Sequence, residues 1–242
     1  MGSRCMFYNL NIQEIGINKF EKLMSENNLT VKTKKRRIVT TQGFYEECDV
    51  NMINGKEIND INQVIAGDIT YFKTPKKNYF ICTLKDMYNK EIVGLYGSDN
   101  MMATTVLKAL NQAIKLRGKG IHGCIHHSDA GTQYKSKIYK KLMKQYHIIP
   151  SIAENCLQNG MAEQLNGAIK NDYMPTDIRS VKELNKILTQ IKKTINEEIP
   201  VKSLGYMTPV QYAAYLKSIP LADHKIIKLH DFNEKKGDFL QA

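Results

Sequence analysis

The chain has 242 residues, 42% of them hydrophobic and 24% charged, which is the profile of one or two soluble globular domains with a sizeable buried core. Its 35 Lys+Arg against 24 Asp+Glu give a net charge of +11, a balance that favours a polyanionic partner, nucleic acid before membrane. The five cysteines are odd in number and never paired as C-x-x-C, and no apolar run reaches the length of a signal peptide core or a membrane span. A disulfide scaffold, a zinc finger and an integral membrane protein are thereby excluded, and a reduced, cytoplasmic setting is expected.

Taken in order, Ile17, Phe20, Leu23 and Met24 stand at helical spacing with Asn27-Asn28 as a stop, which predicts a short amphipathic helix. A basic run follows, Lys32, Lys34, Lys35, Arg36 and Arg37, able to lie along phosphates. Residues 38 to 60 have no periodicity and read as a linker. From Gln63 the pattern changes to strands. Val64 to Phe72, Tyr79 to Leu84 and Glu91 to Tyr96 are rich in β-branched and aromatic residues and are joined by short Pro/Lys/Asn turns, so they predict an antiparallel meander.

A helix is expected next, with Ala103, Val106, Leu107, Leu110, Ala113 and Ile114 on its apolar stripe and Ser98 or Asp99 as its cap. A strand over 123–127, a helix marked by Ile138, Tyr139, Leu142, Met143 and Tyr146, and a strand at 148–153 complete an alternating order. Residues 154–160 read as a loop and 161–173 as a helix. Val181, Leu184, Leu188, Ile191 and Ile195 define another helix, and Thr208-Pro209 is a cap with proline at the first helical position. The order predicts an α/β layer arrangement around a mixed sheet. From Ile219 onward the sequence gives no readable pattern.

Three acidic residues stand out against this scaffold. Asp68 lies within the first strand, Asp129 follows the short apolar lead Cys124-Ile125 at a strand end, and Glu163 opens a helix. Carboxylates gathered from separate strand and helix ends repel one another unless divalent cations neutralise them, and hard oxygen ligands select magnesium or manganese over zinc. Two such ions can activate an attacking hydroxyl and stabilise the leaving oxygen of a phosphodiester. Helical repeat sets Lys170 seven residues after Glu163 on the same face, where it can address phosphate. His126 and His127 are candidates to orient phosphate or a water beside the metal, and packed side chains are the competing reading.

Gly67-Asp68-Ile69-Thr70-Tyr71, His126 to Tyr134, Asn159-Gly160-Met161-Ala162-Glu163 and Leu204 to Pro209 together resemble an OrfB-type insertion-sequence transposase of the DDE, retroviral-integrase-core superfamily. The likeness runs from about residue 16 to 216. It implies a ribonuclease-H-like fold with a mixed five-stranded sheet flanked by helices, a catalytic core over 61–200 and a C-terminal helix and tail over 201–242. It also implies a truncated helix-turn-helix-like segment over 1–37 that ends in the basic run. Asp68, Asp129 and Glu163 become the catalytic and metal-holding triad for two Mg2+ ions, with Mn2+ an alternative, and Lys170 and Asn159 border a DNA channel. The activity implied is cleavage at transposon ends and strand transfer into target DNA, by a homo-oligomer on DNA and with an upstream-frame fusion partner supplying end recognition. A nucleoid-associated location follows from that activity. Ala130 and Gln164 stand where the family commonly has arginines, and the chain lacks tryptophan. Those departures keep two alternatives open, a decayed or domesticated DNA-binding copy and a ribonuclease-H-type nuclease.

Overall fold

A computed structural model of the chain describes residues 2–30, 50–153 and 160–230, and the side chains within 160–163 lie outside that description. Two short helices come first, α1 (Ser3–Asn9) and α2 (Ile17–Glu26). They are held to each other by the Phe7–Phe20 ring contact at 5.6 Å and by Arg4, whose guanidinium reaches the Glu21 carboxylate at 3.0 Å. Tyr8 stacks on Tyr206 with ring centroids 4.0 Å apart, and the Asn9 amide donates to the Glu198 carbonyl, so this pair sits against the C-terminal part of the chain.

A two-residue strand β1 (Glu57–Ile58) precedes the central sheet, which is built from β2 (Val64–Lys73), β3 (Asn78–Asp86), β4 (Ile92–Ser98), β5 (Ile125–Ser128) and β6 (Ile149–Ile152). Strand order is β4-β3-β2-β5-β6. The three long strands form the expected antiparallel meander, while β5 and β6 run parallel to β2. Parallel pairing requires crossovers, and these are supplied by α3 (Ala103–Arg117) and α4 (Lys137–Gln145). The α/β expectation and the mixed five-stranded sheet are thus both met.

Three apolar clusters fix the layers. On one face, Val106, Ala109, Leu110 and Ala113 of α3 and Tyr139 and Met143 of α4 pack on Ile65, Cys82, Leu84 and Val93. The opposite face is covered by α5 (Gly160–Ala168), which continues into a π-helical turn over Ile169–Tyr173, and by α6 (Val181–Glu197). Leu165, Ile169, Leu184 and Leu188 from these elements meet Tyr79, Ile81 and Leu95 there. A third cluster joins Val64, Ala66 and Ile125 to Tyr212 and Leu216 of α7 (Pro209–Lys217) and to Leu229.

Several local expectations are corrected. The N-cap of α3 is Met102, with no side-chain hydrogen bond, so neither Ser98 nor Asp99 caps it. Ser98 instead ends β4 and Asp99 pairs with Lys77 at 2.5 Å. Ile138 is not on the apolar face of α4 but 64% exposed. Within the segment read as a linker, Ile53 and Ile58 are core residues, and β1 pairs antiparallel with β7 (Ile227–Lys228) from the unreadable tail. Residues 31–49 of that N-terminal stretch and linker lie outside the described residues.

Candidate active site

The site is set by strand register. In the parallel pair β2–β5, Val64 lies opposite Ile125, Ile65 opposite His126 and Ala66 opposite His127. Two further steps along both chains bring Asp68 level with Asp129, one residue past the end of β5. Paired residues of parallel strands project to the same side and alternate by two. Asp68 and Asp129 therefore share the face that holds Ala66 and Ile125, the face covered by α5 and α7. Both acids are half-buried.

Each carboxylate is anchored. The Asn166 side-chain amide donates to Asp68 Oδ2 at 2.7 Å, and the same residue accepts from Thr83 Oγ1 through its own oxygen at 2.9 Å. Thr83 lies directly opposite Asp68 on β3, so strand pairing and the hydrogen bonds reinforce one another. On the other strand the Gly131 N–H donates to Asp129 Oδ1 at 3.2 Å, closing a tight turn after β5. Burial pushes the Asp129 carboxyl above the usual carboxylate range, opposed by the Gly131 N–H. Both acids also act electrostatically on one buried group, the Tyr134 hydroxyl, which burial first and these charges further push well above its ordinary pKa.

Glu163 lies in α5, whose backbone packs on β2, one helical turn before Asn166 and on the same side of the helix. Its side chain is outside the described residues, and among the described residues no three His, Cys, Asp or Glu side chains assemble into a metal cluster. Lys170 is half-buried where the α-helical repeat gives way to the wider π turn. Asn159 and the basic run Lys32, Lys34, Lys35, Arg36 and Arg37 lie outside the described residues.

The two histidines are interior groups. His126 is 2% exposed on the α3/α4 side of the sheet, with Nε2 3.2 Å from the Tyr139 hydroxyl, and burial lowers its pKa to about 3. It holds Gly67 to glycine, because a Cβ there would lie 2.8 Å from His126 Nε2 and 2.9 Å from Leu84 Cδ2. His127 is equally buried, and its Nδ1 lies 2.9 Å from Ser151 Oγ on β6. Sequence reasoning missed Asn166 and Thr83. The available signal was spacing: a residue three positions after a helical acid shares its face.

Comparison with known proteins gives a consistent picture. Two family models, both described as integrase core domain, match residues 59–155 and 147–209. The chain is 24% identical over 204 residues to the InsK transposase of insertion sequence element IS150 from Escherichia coli strain K12, covering 83% of this chain and 72% of that protein. It is 34% identical over 111 residues to the transposase for insertion sequence element IS629 of Shigella sonnei, covering 45% of this chain and 37% of that one. Among solved structures, the simian T-cell lymphotropic virus intasome in complex with PP2A regulatory subunit B56 gamma aligns with a TM-score of 0.54 at 16% identity, over 93% of this chain and 75% of that one. At that identity the likeness speaks to the fold, and it agrees with the ribonuclease-H-like arrangement.

Proposed function

From the premise that this chain belongs to the integrase-core superfamily of insertion-sequence transposases, we propose that it cleaves a DNA phosphodiester at a transposon end and joins the freed 3′-hydroxyl to a target strand. The observation that supports this most is the β2–β5 register, which sets Asp68 and Asp129 side by side on one face. Glu163, on α5 three positions before Asn166, completes the set in this reading.

The donors suit a hard divalent cation, magnesium or manganese. They are oxygen ligands on rigid elements, with no cysteine in the set, and a carboxylate disfavoured as an anion by burial gains from a positive neighbour. Asp68, Asp129 and Glu163 would hold two such ions. When bound, the pair supplies the charge that steadies the attacking and leaving oxygens of an in-line displacement. The chain's own part is positional. Strand β2 and the Asn166 amide fix Asp68, the Gly131 turn fixes Asp129, and the Asn166 bond sets how closely α5 approaches β2. Lys170, one turn after Asn166, would meet phosphate at the rim.

In this reading Asn159 and the basic run from Lys32 to Arg37 contact DNA backbone, and end recognition rests on the N-terminal helices together with an upstream-frame partner. Transposition requires two ends to be held at once, so a homo-oligomer on DNA is part of the proposal, as is association with the nucleoid. The test is nicking of supercoiled plasmid in Mg2+ or Mn2+. Asp68→Asn, Asp129→Asn and Glu163→Gln are each expected to reduce it by roughly 100-fold or more, the scale on which a single electrostatic contributor to a transition state is lost. Chelation should abolish it. Nicking by Asp129→Asn at the wild-type rate would refute the assignment, and cleavage confined to RNA–DNA hybrids would replace it with a ribonuclease-H-type nuclease.

A further inference from the structure

The two helical layers of the fold differ in charge. Between Met101 and Ala153, which spans α3, β5, α4 and β6, Asp129 is the single acid while nine residues are Lys or Arg. Helix α4 concentrates the imbalance. Its sequence, KIYKKLMKQ, has Lys137, Lys140, Lys141 and Lys144 exposed around the face opposite buried Tyr139 and Met143, and no acid in its first turn. Among the described residues none of the four forms an ion pair.

Such a helix is electrostatically costly by itself. Like charges three and four apart each destabilise a helix by about 0.2–0.5 kcal/mol. Lys137, at the first helical position, also meets the positive end of the helix dipole, which disfavours it by about 0.3–1 kcal/mol. A face kept only for solubility would mix signs and avoid both penalties. Among the described residues no acid supplies the missing anion.

We propose that the lysine face of α4, on the opposite side of the sheet from the Asp68 and Asp129 carboxylates and joined to the end of β5 by the turns after Asp129, is a track for the phosphate backbone of duplex DNA. Continuity supports this choice of partner. The Gly131 N–H bonds Asp129, the Tyr134 N–H bonds the Gly131 carbonyl, and the Ser136 N–H bonds the Gln133 carbonyl, so consecutive turns run from the acid to the first residue of α4. From Lys137 to Lys144 the helix rises about 10 Å. Duplex DNA presents one charge per roughly 1.7 Å of axis, about six over that length, which is more than enough partners for four lysines. At the far end exposed Lys119, whose carbonyl accepts from the His122 N–H beside the His122–His147 ring pair, extends the basic surface.

The inference rests on the reading that this chain acts on DNA, so it is tested without chemistry. Binding of the full chain to a fluorescein-labelled 30-base-pair duplex of arbitrary sequence is followed by anisotropy in EDTA across a salt series. Replacing Lys140, Lys141 and Lys144 by Gln is expected to lower the slope of log K against log salt by about 2–3 and to weaken binding about tenfold or more near physiological salt. The charge-matched control replaces Lys182, Lys186 and Lys193 on α6, all exposed in the opposite layer, by Gln and should leave the slope in place. The Arg triple at 140, 141 and 144 should bind like wild type, which separates lost charge from lost fold. Equal losses in both Gln triples, no loss in the α4 triple, or failure of the Arg triple would overturn the track. A catalytically dead Asp129→Asn chain that still binds with the full slope would leave the track standing while nicking fails.

Discussion

At the scale of single residues, the site depends on a bond that joins two elements distant in sequence. Asn166 donates to Asp68 and accepts from Thr83, and with Asn166 2% exposed and Thr83 fully buried there is little water to replace either partner. Asn166→Ala should leave the Thr83 hydroxyl without its side-chain acceptor, at a stability cost of about 1–3 kcal/mol. It should also raise the Mg2+ concentration needed for half-maximal nicking by roughly 10–100-fold, as loss of a partner orienting a metal-holding carboxylate does. A metal titration of nicking reads the second effect separately from a thermal melt, and an unchanged titration would reduce Asn166 to a packing residue. His126 makes a different prediction. Its folded-state pKa, about 3, is below the unfolded value near 6.5, so the stability it contributes is present above pH 6.5 and is lost as pH falls toward 3. His126→Gln should flatten acid unfolding across that window by up to about 1.4 kcal/mol per pH unit, measured by denaturant titration at successive pH values.

At the scale of elements, what the sequence made legible follows from which forces act locally. The three long strands and the helices α3, α4 and α6 announce themselves because burying one face imposes a period of two or 3.6 on the chain. Thr208-Pro209 was equally legible, since a cap is a contact within four residues. Thr208 Oγ1 accepts from the Gln211 N–H at 3.2 Å and the Gln211 side chain accepts from the Thr208 N–H at 2.9 Å, a complete capping box. Thr208→Ala should therefore cost about 1 kcal/mol in a chemical melt, the usual value of a lost cap. The start of α3 was not legible. Two polar candidates precede it, but Asp99 is held by Lys77, and the helix begins at an apolar residue instead. Of the site, Asp68 and Asp129 could be read because a recurrent local motif surrounds each. The Asn166–Thr83 bond could not, because it crosses 83 positions and joins two residue types found in any helix and any strand.

At the scale of the whole molecule, the fold is closed by contacts between its least patterned segments. Strand β1 near the start of the core pairs with β7 near the end of the described chain, two residues against two, and neither is long enough to show a period. Around this clasp, the Tyr88 hydroxyl donates to the Lys225 carbonyl at 2.9 Å. The His224 ring nitrogens lie 3.0 Å from the Asn59 carbonyl and 3.1 Å from the Leu216 carbonyl. Leu229 is 7% exposed within the cluster that contains Val64, Ala66 and Ile125, on the same strands that present Asp68 and Asp129. The tail therefore packs on the same face of this strand pair as Asp68 and Asp129, at the start of the strands. Leu229→Ala removes a core side chain and should destabilise by about 2–5 kcal/mol. At about 2–4 °C per kcal/mol for a chain of 150–250 residues, that is a fall in Tm of several degrees or more. Because this packing acts on β2 and β5 rather than on DNA, plasmid nicking well below the new Tm should stay near wild type while thermal inactivation shifts with the melt. A nicking defect at low temperature with an unchanged melt would instead place the tail in contact with substrate.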